Sequence, residues 1–349
     1  MKIGIDATEL RPGAIGGVRT ATYLLLDALH KFTPDLRVLA VAPGPVDVPR
    51  GIKTVETGGP VRPFWWRRSR ELRAALSEFD IFHSPVTAFA DVSGPILTAT
   101  VHELPFVVNH RLEGFGRSLV QWYWLSRAMG HCAALFAPSR ATLEQIRLTH
   151  PAAVRITHVV PHPAPPAPAS EQKRHDGSVL FVGRLDRRKC VEALLAGAAC
   201  CEGQIRLVGP YSERARARVE KEAERLGISD RVLFPGSVDA ETLDFLYRNA
   251  CVVGLVSASE GFGFPVLEAL ARGVPVIVAK DTGAAEVGGD AVLAVDTTQT
   301  DDIVAAIRRA AEPDYRREVS VAGPARVLKF TPEQTARGYA RVFERALGG

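Results

Sequence analysis

Short apolar runs rich in valine, isoleucine and leucine recur along the chain. The first half contains KIGIDA, RVLAVA, DIFHSP, ILTATV and ALFAPS, and the second half contains SVLFVG, QIRLVG, RVLFPG, CVVGLVS and VPVIVA. Segments with helical spacing, such as TYLLLDALHKF and EALLAGAACC, separate most of these runs. Buried parallel strands read as continuous apolar runs, with helices covering both faces of the sheet. The alternation predicts an α/β fold in which each half is a doubly wound, Rossmann-like domain.

The strongest break in this pattern is the stretch PHPAPPAPASEQKRHDG, in which prolines and charged residues replace apolar periodicity. Such proline density favours an extended connector between two folded units. The predicted organisation is an N-terminal domain at 1–161, a Pro-rich linker at 162–177 and a C-terminal domain at 178–330. A last helix is predicted at 331–349, because Thr331 suits an N-cap, Pro332 suits the first turn and Gln334 completes a capping box. This helix is free to pack on either domain, including a return to the N-terminal one.

Composition narrows the class of protein. The 349 residues are 46% hydrophobic and 23% charged, which is ordinary for a globular protein of two domains. A net charge of +4 does not call for nucleic acid as a partner. The five cysteines form no C-x-x-C pair and are too sparse for a disulfide framework or a zinc site. No signal-peptide core precedes Asp6, and no apolar run is long enough to span a bilayer, so a cytoplasmic location is expected.

Ligands of open α/β sheets bind beyond the carboxyl ends of the strands, so the loops after strands are the places to look for chemistry. Gly16 and Gly17 stand just before a predicted helix, where bare amides can accept an anion or simply form a turn. This stretch is not a G-x-G-x-x-G motif, which weakens a dinucleotide-binding interpretation. His102 ends a predicted strand and either faces a ligand or is structural, and His83 is a weaker candidate of the same kind.

In the second half, the stretch FVGRLDRRKCVEALL carries basic residues between a strand and a helix. The strand ends at Gly183 and the helix begins near Cys190. Arg184 and Lys189 flank this turn, and with the helix N-terminus they would form a pocket for a doubly charged phosphate group. The alternative is a turn whose charges are merely solvated.

The stretch SEGFGFPVLEAL places two glutamates eight residues apart. Glu260 falls in a glycine-rich loop, Pro265 suits the first turn of a helix, and Glu268 follows one turn later. A carboxylate at this second position could accept two hydrogen bonds from a ribose diol. We therefore expect the two acids to hold opposite ends of one extended ligand. A glycosidase, which also uses two carboxylates, is the alternative.

Taken together, these stretches resemble the retaining glycosyltransferases of family 4, which have the two-domain GT-B fold. The resemblance rests on the E-x7-E element from Glu260 to Glu268, the GRLDRRK turn, the block LYRNACVVGLVSASEGFGFPVLEALARGVPVIVAKDTGAAEVGGDAVLAVD, and the shorter GAIGG and VHELP. It covers nearly all of the second domain closely and the first domain loosely. In that family a nucleotide-sugar donor lies mainly on the C-terminal domain, and the acceptor approaches from the N-terminal domain across a cleft.

The resemblance implies a role for each matched residue. Arg184 and Lys189 look like diphosphate binders, Glu268 like the ribose ligand and Glu260 like the group that faces the donor sugar. The implied catalytic residues are Glu260, His102, Arg184 and Lys189. The implied donor-binding residues are Gly16, Gly17, Gly183, Arg184, Lys189, Glu260, Gly261, Phe262, Gly263, Phe264 and Glu268. The sequence departs from the family pattern at Cys190, where glycine is usual, and at Glu103, where aspartate is common.

The implied reaction is retaining transfer of a hexose from a nucleoside-diphosphate sugar to a glycan, lipid-linked or small-molecule acceptor. The proline-bearing EGFGFPVLEA form looks most like the mannosyltransferases, which favours GDP-mannose, followed by UDP-hexoses. Because no D-x-D triplet occurs, we expect no metal and no cofactor. A nucleotide-sugar epimerase of the same fold and a non-catalytic nucleotide-sugar-binding protein are the alternatives.

The stretch RPFWWRRSREL sets aromatic residues among arginines in the first domain. It could lie on an anionic membrane surface or near a lipid-linked acceptor, or the aromatics could pack on the domain with the arginines in solvent. Stacking on single-stranded nucleic acid would need a supporting module that the sequence lacks. The residues concerned are Arg62, Phe64, Trp65, Trp66, Arg67, Arg68 and Arg70.

Overall fold

The structure of the protein is a computed structural model that describes residues 1–60, 66–67, 69–87, 94–104, 115–167 and 175–348. The chain divides into two units. Among the described residues, unit 1 comprises residues 1–104, 115–163 and 330–348, and unit 2 comprises residues 164–167 and 175–329. Each unit is built on its own parallel sheet, as the alternating pattern predicts.

Unit 1 contains a seven-stranded sheet in the order β3-β2-β1-β4-β5-β6-β7, and all neighbouring strands are parallel. Its strands are β1 (Lys2–Asp6), β2 (Arg37–Ala42), β3 (Lys53–Glu56), β4 (Ile81–Ser84), β5 (Ile96–Thr100), β6 (Cys132–Ala137) and β7 (Thr157–Val159). The five apolar runs of the first half form β1, β2, β4, β5 and β6. The edge strands β3 and β7 were not predicted, because strands at an edge are only partly buried and need no continuous apolar run.

Helices cover both faces of this sheet. They are α1 (Gly17–Phe32), α2 (Arg70–Leu76), α3 (Phe115–His131), α4 (Arg140–Thr149) and the last helix of the chain, α12 (Pro332–Gly348). The Thr331 hydroxyl accepts a hydrogen bond from the Gln334 amide at 3.2 Å, as expected for the N-cap. α12 packs beside α1, and the Tyr339 ring stacks on Phe136 of β6 with centroids 4.0 Å apart. Burying one such large apolar side chain stabilises a fold by about 1.5–3 kcal/mol, so α12 belongs to the core of unit 1.

Unit 2 contains a six-stranded parallel sheet in the order β10-β9-β8-β11-β12-β13. The strands are β8 (Val179–Val182), β9 (Ile205–Val208), β10 (Val232–Gly236), β11 (Val252–Leu255), β12 (Val276–Ala279) and β13 (Leu293–Val295). Strand order therefore reverses between β8 and β11, as it does between β1 and β4 in unit 1. In doubly wound sheets the ligand crevice lies at this reversal, beyond the carboxyl ends of the two strands.

The helices of unit 2 are α5 (Val191–Ala198), α6 (Glu213–Arg225), α7 (Ala240–Asn249), α8 (Phe264–Leu270), α9 (Gly283–Gly288), α10 (Thr300–Ala311) and α11 (Pro313–Val327). Two apolar clusters form its core, and the β-sheet residues of the two clusters alternate along the strands. Leu180 and Val253, for example, lie in one cluster, whereas Phe181 and Val252 lie in the other. Both faces of the sheet are therefore packed, which explains the continuous apolar runs of β8 and β11.

The start of the Pro-rich stretch belongs to unit 1. This holds for Pro161, the last residue of the predicted N-terminal domain, and for His162, the first residue of the predicted linker, which is 3% exposed. The Pro161 carbonyl accepts a hydrogen bond from the Thr335 hydroxyl of α12 at 2.8 Å. The first residues of the Pro-rich stretch are thus tied to the same unit as the last helix, whereas residues 168–174 lie outside the described residues.

The aromatic and basic stretch near residue 66 turns inward where the structure describes it. Trp66 is fully buried, and its Nε1 donates a hydrogen bond to Thr57 Oγ1 at 2.8 Å. Arg67 is also buried and pairs with Asp6. The membrane-surface interpretation is wrong for Trp66 and Arg67, because both side chains are used in the core. Arg70 is exposed. Five residues of the stretch lie outside the described residues: Arg62, Pro63, Phe64, Trp65 and Arg68.

Across the described residues, no helix has both the length and the apolar character that crossing a bilayer requires.

Candidate functional site

The predicted residues of unit 2 lie at the reversal of strand order. Gly183 directly follows β8, and the loop that carries Glu260 follows β11. These two strands are hydrogen-bonded neighbours, so their loops emerge side by side at the carboxyl edge of the sheet. The sheet therefore brings together two stretches that are more than seventy residues apart in the sequence.

Lys189 and Glu260 form an ion pair between these loops. The Lys189 ammonium donates a hydrogen bond to Glu260 Oε2 at 2.5 Å, and the two side chains are 12% and 15% exposed. Burial opposes ionisation of Glu260, but the positive charges of Lys189 and Arg188 outweigh it and hold its pKa below the usual value. The sequence assigned these residues to different parts of a ligand and did not predict that they touch each other.

Arg188 is a basic residue of this site that the sequence argument missed. Its backbone carbonyl accepts a hydrogen bond from the Ala258 amide at 2.8 Å, and its guanidinium donates to the Ser259 carbonyl at 3.4 Å. Arg188 thus ties the turn after β8 to the loop after β11. The signal was present in the run DRRK, of which the sequence argument used only Lys189. Arg184 and Arg187 of the same turn are exposed, where they can meet an anion.

The turn before α5 adopts a conformation that explains the family's usual glycine. Residues Arg187–Lys189 form one short 3-10 turn, and Cys190 follows in the left-handed region with a φ of 48°. A residue with a side chain pays about 1–2 kcal/mol for this conformation, whereas glycine does not. The departure at Cys190 therefore leaves the turn formed at a small conformational cost.

The glycine-rich loop is built by close backbone contacts. Gly263 caps α8 with a φ of 87°, which favours glycine. Gly283, on α9, donates its amide to the Glu260 carbonyl at 2.7 Å, and a Cβ at this position would lie 2.2 Å from the Gly261 carbonyl oxygen. Gly283 therefore has to be glycine for α9 to hold the backbone of Glu260. Gly261 is buried here, as are Phe262 and Phe264, whose rings meet edge to face 5.2 Å apart.

Glu268 lies in a different network from Glu260. The Tyr247 hydroxyl of α7 donates a hydrogen bond to Glu268 Oε2 at 2.6 Å. Burial raises the pKa of Glu268, although the Tyr247 hydrogen bond and the Arg272 charge act against this shift. The two acids of the E-x7-E element thus have different partners and opposite pKa shifts, as expected if they perform separate tasks.

His102 of unit 1 follows β5 and is held by two hydrogen bonds. His102 Nε2 lies 2.7 Å from the Pro85 carbonyl oxygen, so this nitrogen carries the hydrogen, because a carbonyl only accepts. His102 Nδ1 then accepts from His162 Nε2 at 3.3 Å. Burial lowers the pKa of His102 to about 4 and that of His162 well below its usual value. The pair is neutral near pH 7, with both nitrogens of the His102 ring engaged inside unit 1.

The other candidates of unit 1 lie in two environments: Gly16 and Gly17 are exposed, and His83 is buried. Gly16 and Gly17 are exposed at the start of α1, where the sequence placed them. His83 is fully buried among the rings of Phe136 and Tyr339, and burial lowers its pKa to about 3. It contacts the hydroxyls of two threonines on β5 and serves as a core residue.

A buried ion pair at the end of β1 was not predicted. Arg67 Nε donates to Asp6 Oδ2 at 2.7 Å, and its Nη2 donates to the Thr8 hydroxyl at 3.0 Å. The Thr8 amide and hydroxyl both donate to Asp6 Oδ1, so the carboxylate is fully surrounded by donors. Asp6 is inaccessible to solvent and Arg67 is 6% exposed. The pairing joins residues sixty-one positions apart, which no local sequence signal reveals.

The two parallel sheets have the same order of strands, and each has polar residues where that order reverses. This arrangement defines a two-domain α/β protein of the GT-B class. Solved structures share this fold. The sucrose-phosphate synthase from Thermosynechococcus elongatus aligns over 100% of this chain and 99% of its own, with a TM-score of 0.81 and 21% identity. Anabaena HepE in complex with UDP and glucose aligns over 98% and 99%, with a TM-score of 0.75 and 16% identity. At these identities the likeness establishes the fold alone.

Family models identify the chain more closely. The model "Glycosyltransferase Family 4" matches residues 15–167, and "Glycosyl transferases group 1" matches residues 167–323. The chain belongs to the group 1 glycosyltransferases, as the resemblance implied.

Curated relatives with glycosyltransferase names match this chain over part of their own length. The O-antigen chain mannosyltransferase B of Escherichia coli is 32% identical over 173 residues, which cover 47% of this chain and 45% of the relative. The D-inositol 3-phosphate glycosyltransferase of Acidothermus cellulolyticus is 32% identical over 183 residues, which cover 48% and 41%. Each match therefore spans less than half of the curated relative.

Proposed function

We propose that the protein is a retaining glycosyltransferase that moves a hexose from a nucleoside-diphosphate sugar to a glycan, lipid-linked or small-molecule acceptor without a metal. The observation that carries this proposal is the joined pair of loops in unit 2, where Lys189 and Arg188 hold an ionised Glu260 and the same turn leaves Arg184 exposed. Cations at the carboxyl edge of a doubly wound sheet suit a diphosphate, and an acid fixed beside them suits the hydroxyls of a sugar.

The reaction breaks the bond between the anomeric carbon and the β-phosphate oxygen, and the acceptor hydroxyl oxygen forms the new bond on the same face. The acceptor's proton passes to the leaving phosphate. Negative charge grows on that phosphate in the transition state, and positioned cations and amides lower the barrier most where charge develops. Arg184 and Lys189 take this role, Glu260 faces the transferred sugar and Glu268 binds the ribose. The role of His102 toward the donor sugar is an assignment from the resemblance.

GDP-mannose is the first donor to test, because the EGFGFPVLEA form looks like the mannosyltransferases and one relative carries that name. UDP-glucose follows, because a solved neighbour is described with UDP and glucose. A thermal-shift screen of nucleotides and nucleotide sugars would select the base, since a ligand that binds only the folded state raises the apparent stability.

Turnover with the selected donor would then test the reaction. We expect release of nucleoside diphosphate that depends on an acceptor, persists in a chelator and yields a product with the anomeric configuration of the donor, read by NMR. Altered donor without any acceptor would instead identify an epimerase. Free sugar from a simple glycoside would identify a glycosidase. Donor binding without turnover across a broad acceptor panel would identify a binding protein.

A further inference from the structure

The side chain of Glu268 is held by Tyr247, which lies outside both the E-x7-E element and the GRLDRRK turn. Tyr247 lies on α7, and its ring is fully buried in one of the two apolar clusters of unit 2. The Tyr247 hydroxyl reaches Glu268 Oε2 at 2.6 Å. Since the ring is packed on all sides, the hydroxyl has a fixed position, and so does the carboxylate oxygen that it contacts.

Arg272 supports both members of this pair. Its Nη1 donates to the Glu268 backbone carbonyl at 2.7 Å, and its guanidinium lies 5.1 Å from the centroid of the Tyr247 ring. Its Nε in turn donates to Asp244 Oδ1 on α7 at 2.8 Å. The end of α8 is therefore tied to α7 through one arginine, which fixes the backbone from which Glu268 projects.

The hydrogen bond also affects the charge of Glu268. Burial raises the pKa of this carboxyl, and the groups that act against it are the Tyr247 hydroxyl and the Arg272 charge. An ionised carboxylate has about four acceptor positions on two oxygens, and Tyr247 uses one of them. Enough acceptor capacity remains for two further donors, such as the adjacent hydroxyls of one ribose.

We propose that Tyr247 is a positioning residue that orients Glu268, so that the protein selects ribonucleotides over 2′-deoxyribonucleotides. The proposal rests on the proposed function, which assigns the ribose to Glu268. A site built to bind a hydroxyl discriminates strongly against a ligand that lacks it, because its buried acceptor is then left without a partner.

The test compares Tyr247→Phe with wild type by calorimetry, using a nucleoside diphosphate and its 2′-deoxy form. We expect the ribo-to-deoxyribo affinity ratio to fall about tenfold in Tyr247→Phe, the effect of one hydrogen bond to a charged group. On acidification, ribonucleotide binding should be lost at a higher pH in Tyr247→Phe than in wild type, because the pKa of Glu268 rises without the phenol. Glu268→Gln should also lower the ribo-to-deoxyribo affinity ratio. The double variant Glu268→Gln with Tyr247→Phe should have nearly the same ratio as Glu268→Gln alone.

Tyr315→Phe is the matched control. Tyr315 is buried in the same apolar cluster, and its hydroxyl has no hydrogen-bond partner among the described residues. Its removal should leave the affinity ratio and the pH dependence unchanged. An unchanged ribo-to-deoxyribo affinity ratio in Tyr247→Phe would overturn the proposal, even if both ligands bind more weakly. If wild type binds no nucleotide of the panel, the proposed function itself fails and the proposal fails with it.

Discussion

The carboxyl edges of the two sheets share a reversal of strand order but differ in the exposure of their charged side chains. In the described part of unit 1, Asp6 and Arg67 form a buried pair at the end of β1, and the histidines His102 and His162 are neutral. In unit 2 the turn after β8 leaves Arg184 exposed and places other cations around one acid. The edge of unit 2 therefore carries the cations that the proposed diphosphate ligand requires. Strand order decides where a site lies, whereas the side chains decide which ligand it fits.

The largest effect should come from breaking the buried ion pair of unit 1. Arg67→Met keeps the aliphatic stem but leaves Asp6 buried without its cation, which typically costs about 3–5 kcal/mol. The unfolding of unit 1 can be followed by tryptophan fluorescence in urea, since all four tryptophans of the chain belong to residues 65–124. The double variant Asp6→Asn with Arg67→Met should lose less than Arg67→Met alone, because it removes the unpaired charge. A loss below about 1 kcal/mol in Arg67→Met would show that this buried pair contributes little to stability.

The next effect concerns the cations of unit 2. Lys189→Ala should weaken binding of a nucleoside diphosphate about 10–100-fold and leave binding of the nucleoside nearly unchanged, because only the diphosphate carries the charge that the ammonium neutralises. The Lys189 charge also holds the pKa of Glu260 below its usual value. Glu260 should therefore protonate at a higher pH in this variant, and turnover should begin to fall at a higher pH on acidification.

Two variants sharpen this measurement. Arg184→Ala removes an exposed cation of the same turn and should lower diphosphate affinity without shifting the pH profile, because the cations that hold the pKa of Glu260 down are Lys189 and Arg188. Glu260→Gln should lower turnover while leaving diphosphate affinity no weaker than in wild type, the pattern of a contact made mainly in the transition state. Equal losses of nucleoside and diphosphate in Lys189→Ala would mean that the diphosphate binds elsewhere.

The smallest effect should come from the turn itself. Cys190→Gly relieves the left-handed conformation but adds flexibility to the unfolded chain, so we expect a change within about 1 kcal/mol. Cys190→Val should be destabilised by more, because a β-branched residue tolerates a positive φ poorly. Hydrogen exchange of the α5 amides would follow unit 2 separately. Equal stability of the glycine and valine variants would contradict the conformational explanation.

Much of the fold could be predicted from the sequence. The ten apolar runs form ten strands, nine of them inside a sheet and one, β10, at an edge. A strand buried on both faces needs apolar residues at consecutive positions, which makes the nine inner strands readable from the sequence. β3, β7 and β13 were not predicted, since a short edge strand is stabilised by its neighbour rather than by its own composition. The N-cap at Thr331 could be predicted because it is a local contact between residues three positions apart.

The candidate site was predicted in part. The E-x7-E element and the basic turn were located because their residues lie within a few positions of a strand end or a helix start. Arg188, Tyr247 and His162 were missed, because each acts through a partner that is distant in the sequence. Tyr247 contacts Glu268 twenty-one residues away, and His162 contacts His102 sixty residues away.

The sequence by itself determined the α/β class, the place of the loops that carry chemistry and the resemblance to the glycosyltransferases, because these depend on periodicity and local spacing. Only the tertiary structure decided which charges meet. It pairs Lys189 with Glu260, buries Arg67 against Asp6 and gives the two acids of one motif opposite pKa shifts. The physical reason is that electrostatic energy and desolvation depend on distance and burial in space, and neither quantity is set by separation along the chain.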